Sequence, residues 1–206
     1  MKGKKRLVIL DTHAILHRAY HALPDFSSSK GEPTGGLYGL IAMLTKLVNE
    51  LKPDYIVAAV DLPEPTYRHA IYKEYKGTRK KAEDALVAQL KRMHDVLDAF
   101  GIPIYSAKGY EADDVIGTMV EKTKHLKDLD VVIASGDMDA LQLVDGKRVR
   151  VYTLRKGLND TILYDAEAVK ERYGFGPELL PDYKGIRGDP SDNIPGVRGI
   201  GEKGAT

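Results

Sequence analysis

The chain has 206 residues, 43% hydrophobic and 30% charged, with no cysteine and a net charge of +1. That length holds one large domain or two small ones with a sizeable core. The missing cysteine excludes a disulfide framework and thiolate metal sites and fits a reducing compartment; the near-zero charge excludes a uniformly basic protein, so the distribution of charge carries more information.

No apolar run is long enough to span a membrane, and the basic start, Met1 to Arg6, is followed by too short an apolar run for a signal peptide. A cytoplasmic protein with no membrane partner is expected. Leu7–Leu10 reads as a buried strand ended by Asp11, and Thr12 to Leu23 as a helix with Ile15, Leu16, Tyr20 and Leu23 inward and Arg18 on the polar side. A Ser/Gly/Pro loop over 24–34 leads to a helix from Gly35 to about Leu51, which Pro53 stops. Tyr55–Val60 is a second apolar strand, ended by Asp61. A basic segment, 67–81, precedes a helix over about 83–100 with Leu86, Leu90, Met93, Val96 and Leu97 inward.

Ile102–Tyr105 is a third strand, and it leads into Gly109-Tyr110-Glu111-Ala112-Asp113-Asp114-Val115-Ile116-Gly117. Val115, Ile116, Met119 and Val120 give the helix that starts there a buried face, and at 100° per residue Glu111, Asp113 and Asp114 fall on the opposite arc. Val131–Ser135 is a fourth strand, followed by Gly136, Asp137 and Asp139. Arg148–Tyr152 alternates in the manner of an edge strand. From Ala166 the pattern is helical, and it ends in a Gly-, Pro- and Asp-rich stretch over 185–201.

Strands apolar on both faces, alternating with amphipathic helices, imply an α/β fold: a mostly parallel central sheet covered by helices on both faces. Such sheets bind ligands beyond the carboxyl ends of their strands. One aspartate there is explained as a helix cap, but here Asp11, Asp61 and Asp137 follow three strands, and Glu111, Asp113 and Asp114 follow another. Asp139, Asp189 and Asp192 add to the set. Clustered carboxylates without thiols suit hard cations such as Mg²⁺ or Mn²⁺. Their number exceeds the needs of one ion and fits two ions about 4 Å apart, the arrangement that activates water in phosphodiester hydrolysis. Lys and Arg of Tyr75-Lys76-Gly77-Thr78-Arg79-Lys80-Lys81 suit a scissile phosphate, and a tyrosine there suits base stacking. Gly199 and Gly201 form a Gly-x-Gly whose backbone N–H groups suit a phosphate. His13 and His17 form an i,i+4 pair, read as a partly exposed helix face rather than a zinc pair.

These segments together resemble the 5′-nuclease family, which includes flap endonucleases and the 5′→3′ exonuclease domain of bacterial DNA polymerase I. The resemblance rests on Leu10-Asp11 with Arg18, on 75–79 and 109–117, on Gly136-Asp137-Met138-Asp139, and on Gly188 to Lys203. It implies a PIN-like nuclease core over 1–180 with a helical arch at about 68–90, followed over 181–206 by an incomplete helix-hairpin-helix-type element, a kind associated with K⁺. It implies a first metal group of Asp11, Asp61, Glu111, Asp113 and Asp114, and a second of Asp137, Asp139, Asp189 and Asp192. Lys76 and Arg79 match the catalytic basic residues facing the scissile phosphate. Arg18, Arg68, Tyr75, Arg198, Gly199, Gly201 and Lys203 match DNA contacts. DNA with 5′ flaps or ends is the implied partner, with a polymerase as a covalent or functional one.

Thr12, His17 and Pro190 depart from the family's residues, and the sequence reads as a fragment ending at the head of the hairpin element's second helix. The implied function is structure-selective, metal-dependent 5′ nuclease action on DNA. A DNA-binding module with little turnover is the alternative, favoured by the incomplete hairpin as the full carboxylate set favours the enzyme. An Asp-nucleophile phosphatase would need Asp-x-Asp after the first strand, where Asp11-Thr12-His13 stands.

Overall fold

A computed structural model describes residues 4–24, 26–156 and 160–206. Met1 to Gly3 of the basic start, Asp25 of the first loop and residues 157–159 lie outside it. The elements run β1 (Lys5–Asp11), α1 (Thr12–Ala22), α2 (Gly35–Leu51), β2 (Tyr55–Ala59), α3 (Tyr67–Ile71), α4 (Asp84–Ala99), β3 (Ile104–Tyr105), α5 (Ala112–Lys122) and β4 (Leu129–Ala134). A 3₁₀ segment (Met138–Leu143) follows, then β5 (Val149–Lys156), β6 (Asp160–Tyr164), α6 (Ala166–Tyr173), α7 (Leu180–Arg187), β7 (Gly188–Asp189), β8 (Ile194–Pro195) and α8 (Glu202–Ala205).

The main sheet has the order β3-β2-β1-β4-β5-β6, parallel except for the β5–β6 pair. β1 and β4 are buried along their second halves because both faces are covered. Val8, Leu10, Ala58 and Val132 face α1, α2 and α4 through Leu16, Leu40, Leu44, Met93 and Leu97. Ile9, Val131 and Ile133 face α5, α6 and α7 through Ile116, Val169 and Leu180. α1 and α2 approach closely because Gly39 has no Cβ; one built there would collide with the Cβ of Ala19. Among the described residues no helix is long and apolar enough to cross a membrane.

One reading of the sequence is corrected. The strand at 148–152 is not an edge: β5 pairs with β4 on one side and β6 on the other. Its polar alternation comes from Arg148 and Arg150, which turn to Asp145 at 3.0 Å and Asp130 at 3.8 Å, while Val149, Val151 and Tyr152 are buried. The edges are β6 and the third strand, β3, which pairs over two residues only. The segment expected as an arch over about 68–90 divides into α3, a run of turns, and the first half of α4, whose Leu86 and Gln89 are buried.

The topology sets where the chemistry sits. Successive strands proceed one way from β1 to β3 and the other way from β4 to β6, so β1 and β4 flank the switch point where such sheets open a crevice. Asp11 ends β1 and Asp137 follows β4, one on each side of it.

Candidate active site

Asp11 caps α1, accepting from the Ala14 N–H at 3.2 Å and from the Ser135 hydroxyl at 2.6 Å. It is 4% exposed. Burial pushes its carboxyl up to about 6 despite those two bonds, and Asp137 and Asp61 add to the rise. Asp61 accepts from the Ala112 N–H at 2.7 Å, which ties the end of β2 to the start of α5, and its own N–H donates to His13 Nδ1 at 3.3 Å. That bond makes Nδ1 of His13 an acceptor, so the ring is neutral there; burial lowers its pKa.

The expectation that Glu111, Asp113 and Asp114 share one open arc is corrected. Glu111 is the N-cap, outside the helical repeat, and only 7% exposed. It accepts from Lys76 Nζ at 2.9 Å, and the Tyr75 hydroxyl stands 3.1 Å away. Asp114 accepts from the Glu111 N–H at 2.9 Å and from both terminal nitrogens of Arg68, at 2.7 and 2.9 Å. Burial works against its ionisation, but the Arg68 bonds prevail and lower its pKa. Of the three, Glu111 and Asp113 face the crevice and Asp114 does not. Desolvation, and then Asp11, Asp137, Asp61 and Glu111, push Asp113 up to about 7.

The remaining carboxylates arrive from the other side. Asp137 accepts from the Asp139 N–H at 2.9 Å and opens the 3₁₀ turn. Asp139 is bonded to Lys184 Nζ at 2.5 Å, as is Asp189 at 2.7 Å. Desolvation outweighs Lys184 at Asp139 and raises it. Asp189 also accepts from the Ser191 N–H and hydroxyl, and against the effect of burial these bonds bring it down to about 2. Asp192 accepts from Arg79 at 2.5 Å, with the Tyr75 hydroxyl at 3.0 Å.

Two adjoining cavities result. One of about 250 Å³ is lined by Asp11, Asp61, Glu111, Asp113, Asp137, Lys76 and Arg79. One of about 520 Å³ is lined by Glu111, Asp113, Asp139, Asp189, Asp192 and Lys184. Glu111 and Asp113 belong to both walls. Of the expected carboxylates, eight therefore line this crevice and Asp114 is held apart by Arg68. Arg18 donates to the Gly136 carbonyl at 3.2 Å beside the same region. Tyr75 is 5% exposed and packs edge-on to His69, so it has no free face for a base; its hydroxyl instead shares one proton between Glu111 and Asp192. Arg198, Gly199, Gly201 and Lys203 are exposed on the turn into α8, where Gly199 has φ +85°.

Among the described residues no three ligating side chains are arranged to hold a metal ion; lysines and arginines bridge the carboxylates instead. The donor set fits a hard divalent cation: oxygens only, two of them, on Asp11 and Asp113, raised toward neutral pH by burial and then by their neighbouring carboxylates. Sequence reasoning missed Ser135, the donor to Asp11, and Lys184. The lysine's spacing of five residues before Asp189 is a usable signal only once α7 is known to abut β7.

Comparisons with known proteins show the family and the fold. A sequence model described as the 5′-3′ exonuclease, N-terminal resolvase-like domain, matches residues 6–174. A protein named DNA polymerase I from Caldicellulosiruptor bescii is 46% identical over 202 residues, 97% of this chain and 24% of its own length. The DNA polymerase I of Bacillus subtilis is 42% identical over 205 residues, 100% of this chain and 23% of its own. The chain thus spans about a quarter of the length of the curated relatives it matches. The structure of T5 5′-exonuclease with divalent zinc ions bound superposes with a TM-score of 0.76 at 25% identity, covering 98% of this chain and 73% of that one.

Proposed function

The chain belongs to the 5′-3′ exonuclease, N-terminal resolvase-like domain family, and on that premise we propose that it is a structure-selective 5′ nuclease that hydrolyses DNA phosphodiesters as exonuclease and flap endonuclease. The observation that carries the reading is the crevice at the β1/β4 switch point, where carboxylates from five chain segments meet Lys76 and Arg79. Binding one substrate there demands neutralising both its phosphate and the wall.

Asp11, Asp61, Glu111 and Asp113 hold one divalent cation in this reading, and Asp137, Asp139, Asp189 and Asp192 a second; Mg²⁺ or Mn²⁺ suits the oxygens. Bound there, such ions supply an activated water and stabilise the leaving oxygen. Asp114 acts at one remove, fixing Glu111 through its N–H and anchoring Arg68. Lys76 and Arg79 reach over the crevice from the turns between α3 and α4 and present positive charge to a phosphate. Their present partners, Glu111 and Asp192, keep them oriented until substrate arrives. Arg18, on α1, adds a phosphate contact on the β4 side.

The exposed turn with Arg198, Gly199, Gly201 and Lys203 contacts duplex phosphates through backbone N–H groups and takes a K⁺. Residues 1–180 act as the nuclease core and 181–206 as the duplex-gripping element. The relatives' name supports a polymerase as covalent or functional partner, and the DNA substrate implies action in the cytoplasm. A duplex with a 5′ flap and a fluorescent 5′ end tests the reading. Incision near the junction is expected with Mg²⁺, and none with EDTA. Undiminished cleavage in EDTA overturns it.

A further inference from the structure

The second carboxylate group already has a cation of the protein's own. Lys184 extends from α7, and its ammonium lies 2.5 Å from Asp139 and 2.7 Å from Asp189. These partners come from separate parts of the chain, one after β4 and one in β7, so the lysine fastens the hairpin side of the molecule to the sheet side. It lines the cavity of about 520 Å³ and, with Arg18 and Arg187, a second opening of about 550 Å³. An ammonium on a flexible four-carbon stem is a point charge with three rotatable donors, able to leave one pair of oxygens for another.

Resting on the nuclease reading above, we infer that Lys184 is a resident counter-ion of the second carboxylate group, displaced by the second divalent cation and drawn away by a DNA phosphate. Two partly buried charge-assisted bonds must break before Asp139 and Asp189 are free to bind a metal, which weakens the second cation site in the free protein. A phosphate at the rim beside Arg18 and Arg187 offers the ammonium new acceptors. DNA and the second cation therefore bind cooperatively, each strengthening the other by the same factor. Loading of the second site is thereby favoured in substrate-bound molecules.

Mn²⁺ titration of the whole chain, with free ion read by electron paramagnetic resonance, tests this without reference to turnover. Without DNA, the wild type binds a first equivalent more tightly than a second. Lys184→Met removes the charge and keeps the stem, and the second equivalent then tightens by roughly tenfold or more, since two charge-assisted bonds no longer oppose it. Lys184→Arg keeps the charge and stays near wild type. A nuclease-resistant phosphorothioate flap duplex tightens the second equivalent in the wild type and far less in Lys184→Met. An unchanged second affinity in a Lys184→Met protein that melts cooperatively overturns the inference. So does a duplex without effect on the wild type, an arm that needs no variant to fold. A wild type that binds both equivalents but cleaves no flap would instead count against the nuclease reading and leave the lysine's role standing.

Discussion

Lys76 occupies a backbone conformation that its side chain does nothing to favour. Its φ is +56°, in the left-handed region, a strain of about 1 kcal/mol for a residue with a Cβ. The conformation is held from outside: its N–H donates to the Asp192 carbonyl at 2.9 Å and its Nζ to Glu111 at 2.9 Å. Under the proposed nuclease function, a lysine fixed at both ends over a carboxylate crevice is placed for charge that develops during reaction. Lys76→Ala is therefore expected to lower single-turnover cleavage by ~10²–10³ while changing flap-duplex affinity much less. Rapid-quench kinetics with a parallel binding titration separates the two. Equal losses would put Lys76 on a surface that only positions phosphate.

At the scale of elements, the site depends on how closely α1 lies on α2 and how firmly α5 starts. α1 carries Asp11 at its cap and Arg18 two turns on; α2 admits it most closely at Gly39. In Gly39→Ala the new methyl meets Ala19 Cβ and has Leu23 Cδ1 at 3.1 Å, and neither helix backbone can yield cheaply. Overpacking of about 1–3 kcal/mol outweighs the ~1 kcal/mol that alanine gains over glycine in a helix, so a net loss of stability is expected. Gly117, inside α5, is the contrast: its nearest neighbour for a Cβ is Leu143 at 3.8 Å, ordinary contact. Gly117→Ala is expected to stabilise by about 0.5–1 kcal/mol. Urea melts of the two variants should move in opposite directions; stabilisation of both would mean that helix propensity, not the α1–α2 approach, governs Gly39 as well.

For the whole molecule, the crowded carboxylates tie stability to pH and to divalent cations. Asp11, at about 6, and Asp113, at about 7, are raised from 3.8, so the folded state keeps protons that the unfolded chain gives up. Their stabilising contribution is complete below about 3.8 and is lost as pH rises through 6 to 7. His13 and His17, lowered from 6.5 mainly by burial, slope the opposite way below 6.5, so the comparison is best made by difference. Asp113→Asn removes one buried-side charge. In EDTA its melting temperature should exceed that of the wild type clearly at pH 8 and by much less at pH 5, while Mg²⁺ stabilises the wild type more than the variant. A lower melt at pH 8 would make Asp113 a structural cap instead. Cleavage by Asp113→Asn should be largely abolished.

Five of the six strands of the sheet, most of the helices and the identity of the acidic residues are legible in the chain alone. Those signals are local: apolar runs in Leu7–Leu10 and Val131–Ile133, helical spacing in 35–51, and an aspartate closing a strand are legible within a few residues. The chain also carried the family resemblance, because motifs survive without coordinates. Which carboxylates share a space follows from packing. Asp113 and Asp114 are neighbours in the chain, yet one faces Asp11 and Asp137 while the other is taken by Arg68, because 100° of helix rotation separates them and Arg68 arrives from α3. Tyr75 looked like a stacking surface and is a buried hydroxyl donor; β5 looked like an edge and lies inside the sheet. Lys184 carried no signal without the packing, since its role exists only where α7 brings it between Asp139 and Asp189. Pairings between residues far apart in sequence are fixed by packing, and packing is a property of the whole chain.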